Sequence, residues 1–107
     1  MTGYLYIENE NIGEINFEIV DESMGAITGQ LITNNNYLKF KDRIQQDCEE
    51  KGISNITDFN YKVLFSDNCK LKAEGGIGIT DIKGFNEIYV EVAGIDSRMI
   101  DKIKQND

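Results

Sequence analysis

The residues of this 107-residue chain form no recognisable catalytic or cofactor motif. There is no histidine, so the chain lacks the usual general base, the usual activator of a nucleophile and the commonest metal ligand. Histidine-based triads and zinc sites are therefore excluded. Cys48 and Cys69 form no C-x-x-C pair and are too few for a disulfide scaffold, which favours a reducing compartment. We expect no enzymatic activity, no metal and no other cofactor.

The glycine-rich segment Gly75–Asp81, GGIGITD, is the strongest candidate for a ligand-binding motif. It does not match a dinucleotide fingerprint, because Asp81 stands where the third glycine is required. It does not match a phosphate-binding P-loop either, because no Lys-Ser/Thr pair follows it. The segment is typical of a bulged or tightly turned connection, and the alternative is a backbone surface that contacts a partner or small ligand.

Five later carboxylates are candidates for an acid–base pair of the kind that glycosidases use. Their spacing brings no two of them together, and turn or solvated strand positions explain all five: Asp58, Asp67, Asp81, Glu87 and Glu91.

The net charge of −8 is distributed unevenly along the chain. Residues 39–107 hold 13 acidic and 11 basic residues, whereas residues 1–38 hold six acidic residues and no lysine or arginine. A strongly acidic region repels nucleic acid and attracts basic partners. We therefore expect a basic protein as partner and no binding to nucleic acid. The six acids are Glu8, Glu10, Glu14, Glu18, Asp21 and Glu22.

Hydrophobic periodicity predicts five or six strands and two helices. Strands are predicted at 3–7, 14–20, 26–33, 58–65 and 87–93, with a possible short return at 69–71 and a turn at 9–13. Asn34–Asn36 supply an N-cap for a helix over 37–51 that Gly52 ends. A last helix begins at Asp96 or Ser97 and uses Met99, Ile100 and Ile103.

The resulting order, β-β-β-α-β-(β)-β-α, predicts a single α+β domain over residues 1–107. Its sheet is antiparallel or mixed, with the helices packed on one face. No apolar run approaches the roughly 20 residues that a membrane-spanning helix needs. The first residues also lack the basic start and apolar stretch of a signal peptide. These features predict a cytoplasmic protein that does not bind membranes.

The first hairpin has two possible registers that differ in what its tyrosines do. If Tyr6 lies opposite Ile15, both Tyr4 and Tyr6 belong to the core. If the turn is one residue tighter, Tyr6 lies opposite Glu14, and both tyrosines lie among carboxylates on an outer face. In the second register they would form part of a binding surface, because aromatic residues are enriched at interface hot spots.

The carboxylates of this hairpin, Glu8, Glu14 and Glu18, are the first candidates for contact with a basic partner. The second candidates are Asp47 and Glu50, at the acidic end of the predicted helix. That helix carries its basic residues in the first turns and its acidic residues in the last, which is the reverse of what the helix dipole favours. A surface under selection for stability alone would have the opposite order.

The layout resembles the small cytoplasmic immunity proteins of bacterial toxin–immunity systems, including contact-dependent growth inhibition. The likeness lies in the acidic segment Glu8–Glu22, the helix Tyr37–Cys48 and the stretch Gly75–Glu91, GGIGITDIKGFNEIYVE. The resemblance implies a non-catalytic inhibitor that covers the active site of a basic toxin, in many cases a nuclease. Two alternatives stay open. One is a small enzyme or ligand-binding domain that uses Gly75–Asp81, and the other is an interaction module, including a homo-oligomer.

Overall fold

The computed structural model describes residues 1–51 and 60–105, with Lys51 described by its backbone alone. The described part contains seven strands and two helices, together with a short 3-10 turn at Asn35–Lys39. The fold is of the predicted α+β class. The elements are β1 (Thr2–Ile7), β2 (Glu10–Asn16), β3 (Glu18–Asp21), β4 (Ala26–Thr33), α1 (Lys41–Lys51), β5 (Tyr61–Phe65), β6 (Gly76–Thr80), β7 (Tyr89–Ala93) and α2 (Ser97–Gln105).

The strands form a curled, wholly antiparallel sheet in the order β5-β1-β2-β4-β7-β6, and β3 also pairs with β4. β2 and β3 pair one after the other with the same strand, β4, and Phe17 lies between them, at an interruption of the pairing. The Phe17 N–H donates instead to the Met1 carbonyl at 3.0 Å. Gly29 of β4 lies at this interruption. A Cβ at this position would lie 2.6 Å from the Asn16 carbonyl oxygen, so the close crossing requires glycine.

The core lies on one side of the sheet, where the alternating apolar residues of the strands meet both helices. Phe17 is fully buried and packs edge-on against Phe65, with ring centroids 6.1 Å apart. Ile44 of α1 and Ile103 of α2 are also fully buried. The helices therefore pack on one face of the sheet, as the order of elements predicts.

Several predicted boundaries differ from the structure, among them that of the strand at 14–20, which is divided at Phe17 between β2 and β3. The predicted turn at 9–13 is wrong: β2 already begins at Glu10, and the chain reverses at Glu8–Asn9, where Glu8 has a φ of 57°. The predicted helix over 37–51 is a 3-10 turn followed by α1, which begins at Lys41. The predicted N-cap is confirmed, because the Asn34 side chain accepts the Asn36 N–H at 3.0 Å.

The largest correction concerns Gly75–Asp81, predicted to be a turned connection. Residues Gly76–Thr80 form strand β6, which pairs with β7 along its whole length. Ile77 and Ile79 face the core side, while Gly76 and Gly78 lie opposite Ala93 and Glu91 on the other side. Glycine has a low strand propensity, and it therefore hides this two-residue alternation in the sequence.

Other predicted features are confirmed or lie outside the described residues. The strand at 26–33 and the helix from Ser97 are found where they are predicted. The return at 69–71 makes a single bridge, between Leu64 and Lys70. The predicted helix stop at Gly52 and the first residues of the strand at 58–65 lie outside the described residues. Within residues 1–51 and 60–105, neither helix has the length and apolar character needed to cross a membrane.

Candidate functional site

The side of the sheet that faces away from the helices is here called the outer face. Its first row of side chains crosses four strands: Leu64 is paired with Tyr4, Tyr4 with Glu14, and Glu14 with Ile32. Side chains that lie directly opposite on paired strands have Cβ atoms about 4.5–5.5 Å apart. Glu14 therefore lies between an aromatic ring and an aliphatic side chain, and it is exposed to solvent.

A second row crosses the other half of the sheet. Glu18 of β3 is paired with Thr28, Thr28 with Glu91, and Glu91 with Gly78. The Thr80 hydroxyl donates to Glu91 Oε1 at 3.0 Å, which orients that carboxylate. Glu18 and Glu91 are both exposed and flank Thr28 from either side. The two rows lie about 13 Å apart along β4, because Ile32 is four positions after Thr28.

The carboxylates of the acidic segment divide into paired and unpaired groups. Glu10 forms an ion pair with Lys39 at 2.9 Å, and Glu22 forms one with Lys104. Asp21 accepts bonds from Ser23 and from the Met24 N–H, which lower the pKa of its carboxyl group. Within residues 1–51 and 60–105, no ion pair engages the three predicted contact residues, namely Glu8, Glu14 and Glu18.

The outer face combines this charge with exposed apolar surface. Val20 is 64% exposed, Ile32 56% and Tyr89 41%. A shallow groove of about 250 Å³ runs between β3, β4, β7 and β6 over the small residues Ala26, Gly76, Gly78 and Ala93, with Glu91 in its wall. Aromatic and aliphatic anchors beside charged groups are the composition of an interface core and its rim.

The tyrosine register is decided in favour of the outer face. Tyr4 lies opposite Glu14, and Tyr6 lies opposite Asn11 after a bulge, so the strands pair more tightly than in either predicted register. In the structure the partner of Tyr4 is shifted by two residues from the one it has in the predicted outer-face register. Because side chains alternate between the two faces of a strand, a shift of two residues leaves Tyr4 on the same face. Both tyrosines are half-buried, while Leu5 between them is in the core. The Lys62 ammonium lies 5.4 Å above the centre of the Tyr6 ring.

The structure brings some of the predicted contact residues together and separates others. Glu14, Glu18, Tyr4 and Tyr6 share the outer face. Glu8 lies in the turn at the end of the first hairpin.

The second candidates, Asp47 and Glu50, lie on α1. That helix packs on the core side, where the Cys48 thiol donates to the Ile79 carbonyl at 3.5 Å. Glu50 is exposed and accepts a bond from Gln46 Nε2 at 3.2 Å. Asp47 and Glu50 therefore belong to a separate surface.

A buried polar cluster was missed at the level of sequence. Asp81 is 1% exposed and accepts the Tyr37 hydroxyl at 2.6 Å and Gln45 Nε2 at 3.1 Å. The prediction of Asp81 as a solvated turn residue is wrong. Burial and the bond to Asp81 raise the pKa of Tyr37 far above its usual value, so this hydroxyl stays protonated and donates. The cluster ties the end of β6 to the 3-10 turn and α1, and the side chains of Asp81 and Tyr37 are buried in the core.

Comparisons with protein-family models, with curated proteins and with solved structures find no match to this chain. In residues 1–51 and 60–105, no group of three or more cysteine, aspartate and glutamate side chains is placed to hold a metal ion.

Proposed function

We propose that this protein is a non-catalytic binding module whose outer face binds a basic protein. The observation that carries the proposal is the placement of Glu14, Glu18 and Glu91 on one uncovered sheet face among exposed apolar side chains. Lys62 is the one cation that the described strands add to that face, and it lies over Tyr6 at its border. Such a surface is complementary to arginine and lysine side chains on a partner.

The two components of the outer face have different effects on binding. Exposed carboxylates chiefly accelerate the encounter with a positively charged partner, and salt screens this effect. Desolvated aromatic and aliphatic anchors chiefly set the rate of dissociation. The row formed by Tyr4, Glu14 and Ile32 contains both, and we assign it to the centre of the interface.

The role that best fits such a module is that of an immunity protein which neutralises a basic toxin. Enzymes that act on nucleic acid carry basic active sites, because their substrates are polyanions. An acidic sheet face seated over such a site excludes the substrate by both charge and bulk. A toxin nuclease is therefore the partner we propose first.

An enzyme that uses Gly75–Asp81 is not favoured by the geometry. Residues Gly76–Thr80 form a paired strand, and Asp81 after it is buried in the core, where each of its carboxyl oxygens accepts a hydrogen bond, one from Tyr37 and one from Gln45. The groove beside Gly76 and Gly78 is open and mostly apolar. Its wall presents Glu91 but no second described carboxylate that could serve as its acid–base partner.

A capture experiment with matched charge reversals tests the proposal. The wild type, Glu14→Lys/Glu18→Lys and the control Glu49→Lys are immobilised and exposed to lysate of the source cell. Glu49 is exposed on α1, away from the outer face. We expect wild type and control to retain the same basic protein and the double reversal to lose it.

Expression of the captured protein alone then tests its toxicity, and co-expression with each variant tests protection. We expect the captured protein to arrest growth and the wild type to restore it. A captured protein that is harmless, or one that the double reversal still neutralises, would contradict the immunity role.

A further inference from the structure

A cavity of positive charge lies where the segment after β5 meets the first turns of α2. It has a volume of about 280 Å³. Its wall contains four basic side chains, one carboxylate and two sulfur-containing side chains: Lys70, Lys72, Arg98, Lys102, Asp96, Cys69 and Met99. More than a third of the chain's 11 lysines and arginines thus meet at one concave site, in a protein with a net charge of −8.

Most of these cations are not neutralised by carboxylates. No ion pair to Lys70, Lys72 or Arg98 is found among residues 1–51 and 60–105, although acidic residues outnumber basic ones by 19 to 11. Lys102 is paired with Asp67 outside the cavity wall. In the wall itself, Asp96 accepts the Met99 N–H at 2.9 Å as the cap of α2, so its charge is partly engaged by the helix. The cavity therefore keeps a net positive potential.

We propose that this cavity is a binding site for a compact anion that carries a diphosphate group. Lys70, Lys72 and Arg98 all line one cavity and like charges repel one another, so a multivalent anion bound there relieves that repulsion. The guanidinium of Arg98 presents a planar fork that matches two phosphate oxygens, and the ammonium groups of Lys70 and Lys72 act as point charges on the second phosphate.

The size of the cavity limits the ligand. At about 280 Å³ it lies just below the usual range of about 300–1,000 Å³ for small-molecule sites, which fits a diphosphate but not a large cofactor. Cys69 and Met99 supply an apolar wall that can contact an organic portion next to the phosphates. Free pyrophosphate and a nucleoside diphosphate present the same group, and the experiment separates them. The proposal uses none of the carboxylates or tyrosines of the outer face and does not depend on the proposed function.

Calorimetric titration at low ionic strength tests the site with inorganic pyrophosphate, ADP and monophosphate. We expect saturable 1:1 binding of pyrophosphate and weaker binding of monophosphate. Tighter binding of ADP than of pyrophosphate would identify the organic portion as a part of the ligand. Absence of saturable binding for both diphosphates, or equal binding of monophosphate, would overturn the proposal.

Matched variants locate the binding on the cavity. Lys72→Gln and Arg98→Gln each remove one cation, and we expect each to weaken pyrophosphate binding roughly tenfold. Lys83→Gln removes an exposed lysine outside the cavity wall and leaves the affinity unchanged. The far-ultraviolet circular dichroism of each variant confirms folding. If Lys83→Gln weakens binding as much as the cavity variants do, the binding is unspecific attraction and the site does not exist.

Discussion

Asp81 places a carboxyl group in the core, where Tyr37 and Gln45 donate hydrogen bonds to it from their side chains. A buried acceptor that loses a donor keeps its desolvation cost, so the loss of one bond affects stability more than it would at the surface. We predict that Tyr37→Phe lowers the free energy of unfolding by about 1.5–3 kcal/mol, because it removes the hydrogen bond from the Tyr37 hydroxyl to the buried carboxyl group of Asp81. Urea unfolding measures the change. Tyr4→Phe, which removes a hydroxyl from the half-buried outer face, serves as the control and is expected to have little effect.

Tyr37 also makes the free energy of unfolding depend on pH in the alkaline range. Burial is the main cause of the raised pKa of Tyr37, and burial likewise raises the pKa of Tyr61. In the unfolded chain a tyrosine loses its proton near pH 10. Above this pH the unfolded state binds fewer protons than the folded state, so the free energy of unfolding falls as pH rises.

We predict that this fall begins near pH 10 and that Tyr37→Phe makes it less steep, by up to about 1.4 kcal/mol per pH unit. Urea midpoints between pH 8 and pH 11 give both slopes. Parallel slopes for wild type and variant would show that the Tyr37 hydroxyl ionises as readily in the folded protein as in the unfolded chain.

At the scale of elements, the path from β2 to β3 depends on Phe17. Its side chain is fully buried against Phe65, and its N–H donates a hydrogen bond to the carbonyl of Met1. We predict that Phe17→Ala lowers the free energy of unfolding by about 3–5 kcal/mol, because it leaves a cavity in the core. Phe85, which is 70% exposed, is the matched control: Phe85→Ala is expected to change stability by less than about 0.5 kcal/mol.

The opposite behaviour is expected of Ile32, which is 56% exposed on the outer face. Ile32→Ala should leave the urea midpoint nearly unchanged, because little of the side chain is buried in the free protein. It should accelerate dissociation of the captured partner by roughly tenfold or more, since an anchor at the centre of an interface contributes above 1 kcal/mol. Surface plasmon resonance measures the rate. Unchanged dissociation would place Ile32 outside the interface.

Alternation in the sequence predicted strands but did not fix all of their bounds. The bounds of Ala26–Thr33 were found as predicted, whereas residues 14–20, predicted as one strand, are divided at Phe17 between β2 and β3. The bulge between Leu5 and Tyr6 was not predictable, because local residue types do not reveal where a ladder skips a residue. β6 was mistaken for a connection because it contains two glycines and follows a third, Gly75, and the low strand propensity of glycine outweighs that of the two isoleucines.

At the scale of the whole molecule, charge is segregated by long-range pairing. Glu14 and Glu18 were predicted as contact residues from the hairpin alone. Glu91 joins them only because β7 pairs with β4, a contact between residues more than 60 positions apart in the chain. The basic cavity likewise combines two segments about 25 residues apart, 69–72 and 96–102. Sequence spacing carries no sign of either arrangement, because antiparallel sheet order beyond hairpins is set by packing.

The central claim is that the outer face guides and contacts a basic partner. Its most direct test is the association rate of the captured partner as a function of ionic strength, for the wild type, Glu14→Lys/Glu18→Lys and the control Glu49→Lys. We predict that the double reversal lowers the association rate and flattens its salt dependence, because two attractive charges near the contact become repulsive. The urea midpoint should change little, since both side chains lie opposite the buried face of their strands. Equal salt slopes for the wild type and the double reversal would place Glu14 and Glu18 outside the interface and contradict the assignment of the outer face.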